Sequence, residues 1–236
     1  MPGRAGIRAG RYPVGGIGRY LGTKIPLNPP FSKGERTSPL TSRGRRQIMK
    51  AIGIVGSPRK GGNTEMLTKH TLKAIAEEGL DTELITLSGL DIRPCDGCKV
   101  CLDEEERCPI DDDLFAIYTK MKKAEAIILA SPVYFGSATA LLKAFMERTG
   151  RIGGFRGVFK GKVGGPLVVA RRAGQNFTFA QLMYWFHILG FFMPSSTYWN
   201  IAFGREKGEV ENDEEGLATA WNFGKNVVFL VKKLNA

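Results

Sequence analysis

The four cysteines of this chain lie within one stretch of fourteen residues. They are Cys95, Cys98, Cys101 and Cys108, in the pattern C-x2-C-x2-C-x6-C, and the rest of the 236-residue chain contains none. Thiolates at positions i, i+3 and i+6 can converge on one small inorganic core, and a fourth from a short loop can close it. The spacing therefore indicates an iron–sulfur cluster bound by all four cysteines.

Two other interpretations of the cysteines remain open. Structural zinc prefers two C-x2-C pairs separated by a longer stretch, which these gaps fit less well. The thiols could also bind no metal at all. The bacterial ferredoxin run differs too, because its last gap is three residues and its fourth cysteine normally serves a second cluster. Here the last gap is six residues, and there is no second set.

A glycine-rich loop at residues 56–64 follows the first apolar run and precedes a helical segment. Glycines allow a tight turn that presents backbone N–H groups, and a helix N-terminus adds a positive end, so the loop indicates an anion site. It matches neither the nucleotide-triphosphate loop nor G-x-G-x-x-G. A plain strand–helix turn with an asparagine cap is the alternative. The candidate ligands are Ser57, Arg59, Gly62, Asn63 and Thr64.

A second candidate binding loop, at residues 131–137, also lies between a strand and a helix. Two adjacent aromatic residues can stack on a planar ring, while neighbouring backbone amides bond its polar edge. Alone, the signal is weak, since both aromatics could belong to the core. The candidate residues are Pro132, Val133, Tyr134, Phe135 and Gly136.

The elements that must position these loops alternate along the chain. Short apolar runs predict strands at 50–55, 82–87, 126–130, 167–170 and 196–201, and 3.6-residue periodicity predicts helices at 63–78, 111–123, 138–148, 175–189 and 214–232. Such alternation predicts an α/β fold, a doubly wound five-stranded parallel sheet with helices on both faces. Ligands bind such sheets at the carboxyl ends of the strands, so all the candidate loops should leave the same edge. Segment 175–189 is apolar nearly all round, which predicts deep burial or contact with another subunit.

The basic charge belongs to the first 48 residues, not to the predicted domain at 49–236. Residues 1–48 hold ten Lys or Arg and one acid, for +9, whereas the rest hold 24 and 22, for +2. The tail is rich in Gly, Pro, Arg and Ser, which predicts disorder. It is either a targeting or polyanion-binding arm or a stretch upstream of a true start at Met49. The domain has no basic, aromatic-rich stripe for nucleic acid and no apolar run long enough for a membrane, and we expect a cytoplasmic protein.

The motifs together resemble a known family. Residues 56–64 and 131–136 are similar to the flavin-binding loops of the NADPH-dependent FMN reductase group within the flavodoxin-like superfamily. The cysteine spacing resembles that of the iron–sulfur flavoproteins, whose motif is C-x2-C-x2-C-x(4–7)-C. The resemblance covers residues 49–200 and makes the cysteine segment, 91–110, an insertion in a flavodoxin-like FMN-binding domain.

The resemblance implies roles for individual residues. Ser57, Arg59, Asn63 and Thr64 would hold the FMN phosphate beside Gly62. Pro132, Tyr134, Phe135 and Gly136, with Val133, would frame the isoalloxazine, and the four cysteines would bind a [4Fe–4S] cluster. It also implies a homo-oligomer, a dimer or tetramer, in which clusters and flavins approach across subunit boundaries. Relatives often carry a Gly-rich stretch where this chain has Arg171 and Arg172. An arginine there could stabilise negative charge on reduced flavin, but we expect both arginines to face solvent.

The function implied is an FMN-dependent redox protein. It would transfer electrons between a one-electron donor such as ferredoxin and a flavin-reduced acceptor. One alternative is an NAD(P)H-dependent FMN or quinone reductase with a structural zinc or thiol site, and another is a non-enzymatic flavin-binding or nucleotide-binding module. No catalytic side-chain set is evident: His70 is expected to be packed or half-exposed, and His187 to lie in the core or at an interface.

Overall fold

The computed structural model describes residues 49–103, 106–154 and 156–236, so the predicted tail lies outside the described residues. Its strands are β1 (Lys50–Val55), β2 (Asp81–Thr86), β3 (Ala126–Pro132), β4 (Val163–Ala170) and β5 (Ile201–Phe203). They pair in parallel in the order β2-β1-β3-β4-β5. This confirms the predicted doubly wound five-stranded parallel sheet.

Helices cover both faces of the sheet. They are α1 (Asn63–Glu77), α2 (Val100–Asp103), α3 (Leu114–Lys123), α4 (Ala140–Gly154), α5 (Gln175–Ile188) and α6 (Glu214–Leu234), with a short 3-10 helix at Glu209–Asn212. Leu67 and Phe223 lie in the core between the sheet and helices α1 and α6, and Phe145 and Phe186 lie in the core on the side of α4 and α5. Burial of these apolar faces fixes the layers. Among the described residues, no helix has both the length and the apolar character needed to cross a membrane.

Element boundaries depart from prediction where side chains or glycines intervene. The third helix begins at Leu114 because Asp112 and Asp113 bind backbone N–H groups of Leu114, Arg93 and Asp91 instead of extending it. β4 begins earlier than predicted and contains Gly164 and Gly165, residues that usually weaken strands. A Cβ on Gly164 would meet the Ile127 carbonyl oxygen at 2.4 Å, so close packing of β4 on β3 requires glycine there.

The fifth strand is much shorter than predicted. Residues 196–200 lie outside the strand. Ser196 donates a hydrogen bond to the Thr219 carbonyl at 2.7 Å, on α6, whereas the Asn200 carbonyl accepts from the Val168 N–H of β4 at 3.0 Å. The strand begins at Ile201, which pairs with Val168. The prediction of residues 196–200 as strand was therefore wrong, and at its start the Ser196 and Thr197 hydroxyls lie against Thr219 of α6 instead.

Helix α5 is amphipathic in space although its sequence is apolar nearly all round. Trp185 and Phe186 are buried, whereas Tyr184 and Ile188 are exposed. His187 is also exposed, which rules out the core, while its other expected place, an interface, stays a prediction. His70, by contrast, is half-buried on α1, with Nε2 3.2 Å from the Leu217 carbonyl oxygen.

Candidate functional site

The loops that follow β1, β3, β4 and β5 surround a cleft of about 140 Å³ at the carboxyl edge of the sheet. It lies where the chain reverses direction across the sheet, which is where such folds bind ligands. Most of the predicted loop residues meet here. The lining consists of Ser57, Arg59, Lys60, Gly62, Asn63, Thr64, Pro132, Val133, Tyr134, Val169, Arg171, Gly204, Arg205 and Lys207.

The floor of the cleft is the N-terminus of α1. Gly62 is the N-cap residue and offers no side-chain cap, so the first N–H groups of the helix remain available to a ligand. Ser57 Oγ accepts a 3.2 Å hydrogen bond from the Arg59 N–H, which shapes the preceding turn. Glu65 accepts from the Gly61 N–H at 2.6 Å and pairs with Lys69, which holds the pKa of that carboxyl below its usual value. The helix start is thus a pre-formed anion site.

The cleft is strongly basic. Five of its lining side chains are cationic and none is acidic: Arg59, Lys60, Arg171, Arg205 and Lys207. Arg171 was expected to face solvent; it is exposed, yet it lines the cleft. Arg205 and Lys207 were not predicted at all. The signal for them was the segment Gly204-Arg205-Glu206-Lys207-Gly208, a basic turn between glycines after the last strand.

Asn63 attaches this C-terminal turn to the phosphate loop. Its side-chain Nδ2 donates to the Glu206 carbonyl and its Oδ1 accepts from the Gly208 N–H, both at 2.8 Å. Gly204 permits the approach, since a Cβ there would lie 2.7 Å from Asn63 Nδ2. Lys207 lies close to Gly61, because a Cβ on Gly61 would come within 3.2 Å of its Nζ. The Asn63 side chain is thus committed to positioning this turn.

The second predicted loop forms a tight hairpin turn. Tyr134 and Ser137 exchange backbone hydrogen bonds of 2.9 and 3.0 Å, and the two residues between them have positive φ, 51° at Phe135 and 75° at Gly136. Gln181 on α5 accepts from the Ser137 hydroxyl at 3.0 Å and supports the turn. Tyr134 lines the cleft with Pro132 and Val133, but Phe135 and Gly136 do not, and Phe135 is fully exposed at the tip.

The four cysteines line one small pocket against α4. Cys101 is buried, Cys95 and Cys108 are half-buried, Cys98 is exposed, and all four are free thiols. The segment winds tightly: Gly97 and Lys99 have φ of 76° and 68°, and Asp96 Oδ1 accepts from the Cys98 N–H at 3.0 Å. Within the described ranges, no three Cys, His, Asp or Glu side chains surround a point where one ion could bind.

Arg148 is the charged partner of this pocket. It is buried on α4, donates to Asp112, and places Nη2 3.3 Å from Cys108 Sγ and 3.3 Å from the Ile110 carbonyl oxygen. Burial opposes its charge, but the bonds to Asp112 and Cys108 raise the pKa of Arg148 above its usual value. Burial likewise opposes the Asp112 charge, yet the Arg148 guanidinium lowers the pKa of that carboxyl.

The cleft and the cysteine pocket are joined by α4. Thr139 precedes the helix and donates to the Gly56 carbonyl at 2.5 Å, which fixes the start of α4 at the cleft. A helix rises 1.5 Å per residue, so Arg148 lies about 12 Å along α4 from Ala140. The cysteine segment leaves the predicted edge of the sheet, but it packs back along α4 and does not enter the cleft.

The donor sets fit the two groups that the sequence suggests. An uncapped helix start among cations and hydroxyls suits a phosphate, and the Tyr134 ring suits a planar flavin. Four thiols on one pocket suit a cuboidal cluster, in which each thiolate binds a different iron, so the sulfurs need not surround one point. The pocket itself measures about 20 Å³, roughly one water's worth of space. A cuboidal cluster is larger than this space, so the lining of the pocket would have to open to bind one.

Comparison with known proteins identifies the family. Residues 49–206 match the family described as NADPH-dependent FMN reductase. An iron–sulfur flavoprotein of Methanocaldococcus jannaschii is 44% identical over 192 residues, covering 78% of this chain and 98% of that protein. The chain belongs to the iron–sulfur flavoproteins of the NADPH-dependent FMN reductase family. A second iron–sulfur flavoprotein, from Methanosarcina thermophila, is 36% identical over 78% of this chain and 98% of its own length.

A solved structure agrees with the fold. A flavodoxin from the domain Archaea superposes with a TM-score of 0.53 at 16% identity, covering 78% of this chain and 99% of that one. The protein is thus a flavodoxin-like, flavin-dependent oxidoreductase of the FMN reductase family. The resemblance derived from the two loops and the cysteine spacing is confirmed.

Proposed function

We propose that this protein binds FMN in the basic cleft and a [4Fe–4S] cluster on Cys95, Cys98, Cys101 and Cys108, and relays electrons between a one-electron carrier such as ferredoxin and an acceptor reduced by flavin. A flavin handles two electrons or a hydride and a cluster handles one, so the pair converts between the two kinds of donor. The observation that carries this proposal is that the four thiols share one pocket on the helix that begins at the cleft.

The chain's own residues would bind and orient the flavin. The α1 N-terminus and Thr64 would hold the phosphate, and Arg59 and Lys207 would neutralise its charge; all of them line the cleft. Pro132, Val133 and Tyr134 would place the ring against the end of β3. No described side chain in the cleft is a histidine or carboxylic acid, so proton exchange with the flavin would depend on backbone groups, the Tyr134 hydroxyl and solvent.

The separation along α4 supports a relay that includes a second subunit. The pocket lies on the flank of the domain, about 12 Å from the cleft along the helix. Beside it, Cys95 borders an apolar groove of about 650 Å³ that also contains Met146, Trp185 and Ile188. A homo-oligomer that covers this groove would bring another subunit's flavin towards the cysteines, which is the arrangement that the family resemblance implies.

The test is an anaerobic preparation with assays for iron, sulfide and FMN per chain. We expect about four irons, four sulfides and one FMN, with broad absorbance near roughly 400 nm that dithionite bleaches. Cys98→Ser and Cys101→Ser should lose iron and sulfide yet retain FMN, which serves as the internal control for folding. Zinc in place of iron, or iron retained in both variants, would overturn the cluster assignment.

A second candidate function is NAD(P)H-dependent reduction of the flavin. One observation favours it: Arg171 and Arg205 add cations to the cleft beyond those beside the phosphate loop. Extra positive charge could bind the pyrophosphate of a nicotinamide nucleotide. Rapid NADPH oxidation with no response to reduced ferredoxin would favour this candidate, and reduction of bound FMN by ferredoxin alone would favour the first.

A further inference from the structure

Arg148 forms an ion pair with Asp112 in which both side chains are almost completely buried. Its side chain is 1% exposed and that of Asp112 is 0% exposed, so neither charge is solvated. Asp112 neutralises the guanidinium and also accepts from the Arg93 N–H at 3.0 Å. A pair of this kind rarely stabilises a fold more than apolar residues of the same size would. The placement of this pair therefore suggests a role beyond folding.

One further donor of Arg148 reaches the cysteine pocket, while Nη1 also donates to the Arg93 carbonyl at 3.1 Å. Nη2 lies 3.3 Å from Cys108 Sγ, within hydrogen-bonding distance for sulfur. Nε is buried and has no acceptor among the described residues. Arg148 itself lines the pocket with all four cysteines. A buried cation with a donor on one sulfur and a second donor unused is suited to an anionic sulfur-rich group.

We propose that Arg148 is a positioning residue that raises the reduction potential of the cluster by donating to Cys108 Sγ and by holding a positive charge beside the pocket. The inference rests on the proposed function, because it needs the cluster. Taking up one electron from a one-electron carrier forms and breaks no bond and makes the cluster more negative by one charge. Hydrogen bonds to sulfur and nearby charge are established means of tuning such potentials.

Asp112 should shift the reduction potential of the cluster in the opposite direction to Arg148. It fixes the guanidinium, but its own negative charge lies on the same buried pair and opposes reduction. Removing Arg148 should therefore lower the potential, whereas converting Asp112 to a neutral amide should raise it. A merely structural pair would not give opposite shifts, because loss of either partner would loosen the same segment.

The experiment is an anaerobic redox titration of the holoprotein monitored by electron paramagnetic resonance, with bound FMN as an internal reference. In Arg148→Met, the ratio of reduced to oxidised cluster at fixed potential should fall about tenfold, or about 59 mV for a one-electron couple. Asp112→Asn should move the ratio the other way. Arg151→Met is the matched control, since Arg151 lines the pocket but has no hydrogen bond to a cysteine in the described residues, and its shift should be smaller.

The outcomes separate the inference from the proposed function. A wild-type protein without iron and sulfide would contradict the proposed function itself. A loaded cluster with unchanged potentials, or with both variants shifted in the same direction, would overturn the role of Arg148. If Arg148→Met does not fold, the sign of the Asp112→Asn shift decides alone.

Discussion

The Asn63 Oδ1 atom accepts a 2.8 Å hydrogen bond from the Gly208 N–H, a residue 145 positions later in the chain. Asn63 begins α1 beneath the anion site, and Gly208 ends the basic turn after β5. One side chain therefore fixes the distance between the phosphate loop and Lys207. The charge of the cleft depends on this contact between distant segments.

Replacing Asn63 should weaken FMN binding through the turn that it holds. In Asn63→Leu both hydrogen bonds are lost, and we expect the FMN dissociation constant to rise about tenfold, as for two net hydrogen bonds. The measurement is quenching of flavin fluorescence on titration of the apoprotein. The first turn of α1 should remain folded, so an unchanged circular dichroism spectrum is the control. Wild-type affinity in this variant would show that the turn keeps its place without Asn63.

Lys207 should contribute to FMN affinity but not to riboflavin affinity, because only FMN carries the phosphate. Lys207→Met should weaken FMN binding roughly fivefold to tenfold, a loss that grows at low salt. Lys73→Met, on the exposed side of α1, is the matched charge control. If Asn63 acts by placing Lys207, the double variant should lose little more than the larger single loss. Additive losses would show that the two residues act separately.

Phe135 should destabilise the fold, because it has a positive φ at the tip of the turn. A non-glycine residue at φ 51° followed by Gly136 at 75° matches a turn that favours Asn-Gly. Phe135→Asn should therefore stabilise the apoprotein by about 1 kcal/mol in urea unfolding. Phe177→Asn, at an exposed position in α5, should give no such gain. If Phe135 covers the isoalloxazine as the resemblance implies, the stabilised variant should nevertheless release FMN faster.

The buried Tyr118 hydroxyl should make stability fall in alkali. It has no hydrogen-bond partner among the described residues, and burial raises the pKa of Tyr118 to about 12 from 10.0. Below pH 10 the Tyr118 hydroxyl keeps its proton in both the folded and the unfolded protein. Between pH 10 and 12 the unfolded chain loses this proton first, so the stability present at lower pH is lost as pH rises. Relative to Tyr118→Phe, the wild type should lose about 2–3 kcal/mol across that range.

Urea unfolding of both apoproteins from about pH 7 to about pH 11 measures this difference, about half of which, roughly 1.4 kcal/mol, is lost by pH 11, and the comparison cancels the titration of other groups. At neutral pH Tyr118→Phe should be as stable as the wild type or about 1 kcal/mol more so, since it removes an unpaired polar group. A less stable variant at neutral pH would mean that the hydroxyl has an acceptor, and would remove the basis for the alkaline effect.

Much of the fold was predictable because its signals are local. Apolar runs such as 50–55 and amphipathic segments such as α1 are set by neighbouring residues, and the glycine-rich turn needs no distant partner to be recognised. Where distant contacts override local preference, prediction failed. Gly164 lies in a strand where Ile127 leaves no space for a side chain, and Ser196 and Thr197 lie against α6 instead of extending β5.

The sequence by itself determined the cysteine quartet, the phosphate loop and the alternation that puts candidate loops at one edge of a parallel sheet. Only the tertiary structure decided that Lys207 joins the phosphate loop, that Phe135 lies outside the cleft, and that Arg148 reaches Cys108. These contacts join residues far apart in the chain, and spacing along a chain carries no information about which segments pack together. That choice is made by strand order and by burial of the helices on both faces of the sheet.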